Sequence, residues 1–189
     1  MLCTVDCKGK AFWRNRKLFS SLLLAIRQIP SNFEPTYKHS MKDFVHLHVH
    51  THYSVLDGQS KVKYLVDKAV KDGMKGMAIT DHGVMYGIKE FADYCAKINK
   101  SRKKNGEELF KPIFGCEMYV AKHHKEDKDK DEGDNTRYHL IVLAKNYQGY
   151  KNLIKLVSRS WTDGYYYKPR TDRYDLEQYR EGLIVSSAC

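Results

Sequence analysis

Four of the nine histidines in this chain stand on alternate residues, His46, His48, His50 and His52, with Val45, Leu47 and Val49 interleaved. Successive side chains of a strand point to opposite faces, so this spacing puts imidazoles on one face and aliphatic groups on the other. Such a face builds a poor core. It suits a metal site, because neutral imidazole binds zinc, manganese or iron near neutral pH. A solvent-facing strand is the plainer alternative, but nine histidines among 189 residues seldom gather this way.

Other residues of ligand type follow along the chain: Asp57, His82, Glu117, His139 and Cys189. Carboxylates neutralise and bridge cations, while imidazole and thiolate add directional bonds. A cluster of two or three divalent ions suits phosphoester hydrolysis, since such ions activate water near neutral pH and steady both the attacking and the leaving oxygen. Asp81, next to His82, is expected to orient a ligand histidine from behind.

These residues need elements to hold them. From Met41 the pattern alternates strand and helix, which predicts a parallel α/β architecture. The expected strands are Phe44–His50, Gly76–Thr80, Ile113–Val120, Tyr138–Leu143 and Leu183–Ser187. Between the first two, Val62, Leu65, Val66, Ala69 and Val70 keep helical spacing, with Ser60 as N-cap and Gly73 as stop. A second helix turns Ile88, Phe91, Ala92, Cys95 and Ile98 inward, and a third turns Tyr150, Leu153, Ile154 and Val157 inward. Most candidate ligands then fall at C-terminal strand ends, where the loops of a βα barrel converge on its active site; His139, early in its strand, is the exception. Residues 122–135, of mixed charge and including His123 and His124, read as a solvated loop. Residues 161–174 read as an aromatic, basic loop in which Lys168 and Arg170, among Tyr165, Tyr166 and Tyr167, could grip a phosphate backbone; packing against another part of a larger protein is the competing expectation. Gly83 and Gly87, four apart, are too little for a phosphate loop.

The net charge is +10, of which residues 1–40 carry half. A mildly basic body favours polyanions without specifying them. Five scattered cysteines suggest a reducing, cytoplasmic setting rather than a disulfide framework. No apolar run approaches the roughly 20 residues needed to span a membrane, and the short one at 18–26 lacks a signal-peptide cleavage site. Residues 1–40 are expected to be an extension, flexible or arising from a start upstream of Met41, and residues 41–189 the domain proper.

Taken in order, HLHVHTHYSVLDG, ITDHG, FGCEMYV, YHLIVLA and the terminal SSAC resemble the successive motifs of the polymerase-and-histidinol-phosphatase (PHP) superfamily. With GYKNLIKLVS and YYYKPRTD, residues 41–189 are most similar to the PHP domains that open bacterial replicative DNA polymerase III alpha subunits. The resemblance implies a distorted seven-stranded βα barrel, of which about five βα units are present. It also implies two or three divalent ions, zinc or manganese, held by His48, His50, Asp57, His82, Glu117, His139 and Cys189. His48, His50, His82 and Glu117 are the residues it makes catalytic, while His46 and His52 lie outside the ligand set. DNA and the other replicative subunits are the implied partners, and DNA replication, with 3′–5′ proofreading hydrolysis, is the implied role.

The family's late Asp-x-His motif has no counterpart here, so the expectation is a C-terminally truncated fragment that is not a self-sufficient enzyme. Two other functions stay open. One is an interaction module in which the metals only staple the fold; the other is a stand-alone phosphatase for small phosphate esters.

Overall fold

The computed structural model describes residues 44–188. The extension expected at 1–40 and the candidate ligand Cys189 lie outside the described residues.

The α/β class stands, with four helices and a six-stranded sheet among the described residues. Helix α1 spans Val62–Lys71, strand β1 Gly76–Ile79, helix α2 Ile88–Lys104, strand β2 Lys111–Ala121 and strand β3 Arg137–Ala144. Helix α3 spans Tyr147–Thr162, strands β4 and β5 Tyr165–Tyr166 and Lys168–Thr171, helix α4 Arg173–Gln178 and strand β6 Leu183–Ser187. The long strand β2 is the centre. Its first half pairs in parallel with β1 (Gly76 opposite Lys111), and its end pairs in parallel with β5 (Tyr119 opposite Arg170). Its other edge carries β3 and then β6, each antiparallel to its neighbour.

The sheet is therefore mixed, not parallel throughout. The reversal comes at β3, because residues 122–136 contain no helix to carry the chain back to the starting end of the sheet. The stretch expected as the first strand runs along β1 but is tied to it at only a few points. His46 bridges Met77, and Thr80 N donates to Val49 O at 2.8 Å. The hydroxyl of Thr80 takes the place of a backbone acceptor for Val49 N, at 2.9 Å. At the far side, β6 is the last strand of the sheet among the described residues, and its Ile184 and Val185 are half exposed. Barrel closure is not reached within the described residues.

Among the described residues, two of three apolar clusters pack helices against this sheet. Val62, Val66 and Ala69 of α1 meet Ile88, Phe91 and Cys95 of α2 over Met77 and Ile79. Leu153, Leu156 and Val157 of α3 pack on Cys116 and Met118 of β2 and Val142 of β3. The expected inner face of α3 is off by one position. Leu156 is buried and Ile154 points outward, since a face centred on Leu153 continues at i+3 and i+4. The expected N-cap Ser60 is also corrected: Lys61 holds that position, with no side-chain cap.

Two expected loops contain more order than their composition suggests. Within residues 161–174 lie the β4–β5 hairpin and the start of α4, which Asp172 caps by accepting from Asp175 N at 2.9 Å. Residues 122–135 do form a loop, but not a wholly solvated one, because Lys125 and Asp134 are buried in it. Its core is ionic. Lys125 Nζ pairs with Glu126 at 2.8 Å and Asp175 at 3.3 Å.

Candidate metal centre

Glu117 points from β2 into the middle of the histidine cluster and is 0 % exposed. Its Oε2 lies 2.6 Å from His48 Nε2 and 2.8 Å from His50 Nε2, and its Oε1 lies 2.6 Å from His139 Nδ1. His82, just beyond β1, brings Nδ1 to 3.7 Å from the same Oε2. Antiparallel pairing explains the one ligand that seemed misplaced. Reversing β3 puts its early residue His139 opposite Tyr119, two residues from Glu117 along β2 and at the same end of the sheet. The structure thus brings together five of the seven expected ligands, His48, His50, His82, Glu117 and His139.

The other two stand differently. Asp57 sits at the rim, 63 % exposed at its side chain, with Oδ2 3.1 Å from His82 Nε2. It belongs to neither of the two groups of three converging ligand atoms, His48–His50–Glu117 and His82–Glu117–His139. The amide of Ala188 donates to His139 O at 3.4 Å, and Cys189 follows beyond the described residues. His46 and His52 stay out of both groups: His46 packs edge-on against Phe44, and His52 stacks near Tyr53.

The local fold that aims these rings is a polar turn behind them. Ser54 and Gly58 close the turn, with Asp57 N and Gly58 N both donating to Ser54 O. A Cβ on Gly58 would lie 2.0 Å from Thr51 O, so the turn closes this tightly only with glycine there. Leu56 adopts a positive φ of 79° and is 99 % exposed, a strained conformation for a leucine that carries Asp57 back toward His82. Buried Asp81 accepts from Thr51 N at 2.7 Å, Thr51 Oγ1 at 2.8 Å and Ser54 Oγ at 2.7 Å. Since the Ser54 hydroxyl proton goes to Asp81, Ser54 Oγ accepts from His50 Nδ1 at 3.0 Å and from His82 N at 3.1 Å. Asp81 therefore orients His50 through Ser54; it does not bond the His82 ring beside it.

This network fixes tautomers, and the tautomers test the fit of a cation. With Nδ1–H of His50 committed to Ser54, its neutral ring presents a lone pair at Nε2, facing the Glu117 carboxylate and, at 3.0 Å, His48 Nε2. With Nε2 of His82 on Asp57, its other nitrogen Nδ1 is buried and without a hydrogen-bond partner. Lone pairs and a carboxylate converging in this way repel one another unless a cation or added protons lie among them. The donor set, imidazole nitrogens sharing a carboxylate, fits zinc or manganese.

Ionisation agrees. Without a cation the alternative is protons between the rings and the carboxylate: burial works to raise the Glu117 pKa, but hydrogen bonds then donated by His50, His48 and His139 outweigh it and hold the group at about 2. The pKa of His82 is lowered, first by burial and then by His50. Glu117 is thus a carboxylate, and His82 favours the neutral form, as ligands must.

The two residues expected to grip phosphate differ in exposure. Lys168 is exposed, with Nζ 5.7 Å above the Tyr119 ring. Arg170 is a correction, being 0 % exposed. Its Nε and guanidinium nitrogens donate to four backbone carbonyls, Gly164 O at 3.1 Å, Asp134 O at 2.7 Å, Lys125 O at 2.7 Å and Asp127 O at 2.8 Å. It clamps residues 122–135 onto the hairpin and offers nothing to solvent. Sequence reasoning also missed Ser54 and Tyr119, whose ring stacks on His82 at 5.8 Å and meets His139 edge-on at 4.9 Å. No periodicity marks either residue; only the spacing of Ser54, four beyond His50, hinted at a contact.

Comparison with known proteins places this cluster in context. DNA polymerase III subunit alpha of Borreliella burgdorferi is 49 % identical over 146 residues, covering 77 % of this chain and 12 % of the relative. The same subunit of Treponema pallidum is 45 % identical over 146 residues, with the same coverage of each. In Helicobacter pylori the subunit is 41 % identical over 148 residues, covering 78 % of this chain and 11 % of the relative. This chain spans about one-eighth of the length of these relatives. Among solved structures, an amidohydrolase from Chromobacterium violaceum aligns with a TM-score of 0.38 and 18 % identity, over 61 % of this chain and 34 % of that one. The PHP domain family matches residues 46–189, the span that contains every candidate ligand of the cluster, and the chain belongs to that family.

Proposed function

We propose that this chain is the PHP domain of a replicative DNA polymerase III alpha subunit, acting in the cytoplasm, and that it hydrolyses phosphodiesters with bound divalent ions. The observation that carries the reading is the buried, ionised Glu117 shared by two groups of imidazole nitrogens. His48, His50, His82, Glu117 and His139 would hold the ions, with Asp57 and Cys189 completing the proposed ligand set. When bound, such ions supply Lewis acidity and activate water for attack on phosphorus.

The protein's own residues do the rest. Ser54 and Asp81 hold His50 in the tautomer that presents Nε2 inward. Asp57 does the same for His82 by accepting at Oδ2, which leaves Nδ1 for coordination. Lys168, exposed near the cluster, would attract the phosphate electrostatically. DNA at a 3′ end is the proposed substrate, and the other replicative subunits are the proposed neighbours.

The test is metal content followed by hydrolysis. The chain purified without added metal is expected to retain about two equivalents of zinc or manganese, and the full-length parent carrying His48→Ala and His50→Ala is expected to lose 3′–5′ hydrolysis. No retained metal together with undiminished hydrolysis in the double variant would overturn the reading. A second reading has its own support: the candidate ligands come from four separate segments, so an ion there would fasten the domain without any chemistry. Metal retained with no hydrolysis in the parent would favour it.

A further inference from the structure

Beside the metal centre lies a cavity of about 280 Å³ that shares Asp57 and His82 with it. That is near the lower end of ligand pockets, roughly 300–1,000 Å³, and suits one monomer unit better than a duplex. Its walls are flat rings. Tyr119 stacks on His82 with 11° between planes, and Trp161 stacks on Tyr165 at 5.6 Å with 23° between planes. Trp161 remains 42 % exposed and yet is fixed, since its indole Nε1 donates to Gly83 O at 2.8 Å. An exposed indole held rigid by a backbone hydrogen bond is a prepared surface for another flat ring. Lys168 also lines the cavity, placing a cation beside these rings.

We propose that this cavity is a nucleobase pocket, in which the exposed face of the Trp161 indole, backed by Tyr165, stacks the base of a nucleoside phosphate whose phosphate reaches the Asp57–His82 side. The residues that set specificity are thus the two aromatic rings. The geometry selects nucleoside phosphates over phosphorylated sugars, because a sugar has no π face to lay against the indole, while every base has one. Lys168 complements the charge of the same ligand. This deepens the proposed function and rests on it only for the phosphate end; the stacking end stands on the rings alone.

The chain's tryptophans are Trp13 and Trp161, so Trp13→Phe leaves Trp161 as the one indole reporter. Fluorescence titrations of that variant with thymidine 5′-monophosphate, a short oligothymidylate and 2-deoxyribose 5-phosphate, each with zinc and with EDTA, test the pocket. The thymidine ligands are expected to quench Trp161 and to bind at least about fivefold more tightly than the sugar phosphate, as a stacking contribution of roughly 1–3 kcal/mol requires. Adding Tyr165→Ala is expected to weaken thymidine binding severalfold and leave the sugar phosphate unchanged. Saturation by oligothymidylate at the lower concentration would identify a strand end as the source of the base, and the reverse a free nucleotide; either supports the pocket. A base preference in which zinc strengthens the binding of neither phosphate ligand would keep the pocket and sink the metal-centred reading. Unchanged Trp161 emission, or equal affinity for the sugar phosphate, would overturn the inference.

Discussion

Ser54 touches no proposed ion, yet its one hydroxyl decides how His50 faces the cluster. It donates to Asp81 and accepts from the His50 ring and the His82 amide. Partners of this kind typically contribute 10–100-fold in metal affinity, so Ser54→Ala is expected to weaken zinc binding by about that factor in a competition titration. An unchanged zinc affinity would show that His50 needs no such support. Glu117 makes a prediction about acid. Its folded pKa, about 2, lies below the ordinary glutamate value of 4.5. A depressed carboxylate stabilises the fold above its unfolded pKa and loses that contribution as pH falls through the folded one. The metal-free chain is therefore expected to melt progressively lower as pH drops from about 4.5 toward 2, and Glu117→Gln is expected to flatten this part of the profile. At this scale the alternate histidines were legible because their spacing is a strand period. Ser54 was not, since a lone serine has no pattern, and Arg170 was misread because a charged residue in an aromatic, basic run looks solvated.

Between elements, Arg170 is the fastening. Four carbonyls from residues 125–164 converge on it, and Arg170→Ala would leave them buried without a donor. The expected loss is about 3–5 kcal/mol, seen as a melting temperature lowered by roughly 10 °C and as new protease cleavage within residues 122–135. A variant that melts like the parent would reduce the clamp to a bystander. Gly83 joins the metal centre to the hairpin: its φ is +63°, and a Cβ there would meet Pro169 Cγ at 2.7 Å. Helices α1, α2 and α3, and the strands around β1, β2 and β6, were legible from their periods, whereas the short α4 was not. The direction of β3 was not, because the same apolar run satisfies a parallel or an antiparallel neighbour and only the helix-free connection of residues 122–136 distinguishes them. Reversing β3 is also what brought His139 to Glu117, so one unread strand direction hid one candidate ligand's place.

For the domain as a whole, a bound ion would join the 44–50 segment, the end of β1, β2 and β3. Ligand that binds only the folded state at a hundredfold excess over its Kd stabilises it by about 2.7 kcal/mol. Chelation is thus expected to lower the melting temperature of the zinc-loaded chain by several degrees, read by scanning calorimetry with and without EDTA. The two thiols buried among the described residues give a second global readout. Burial raises the pKa of Cys116 and pushes that of Cys95 up to about 12, so neither is expected to react with iodoacetamide until the core opens, as site-resolved mass spectrometry would show. The outermost strand, β6, has a consequence for handling. With Ile184 and Val185 half exposed, it can template a strand from a neighbouring molecule. Purified material is expected to self-associate as its concentration rises and to recover on dilution, and Val185→Lys should keep it monodisperse in sedimentation runs, because a lysine on a strand edge resists such stacking.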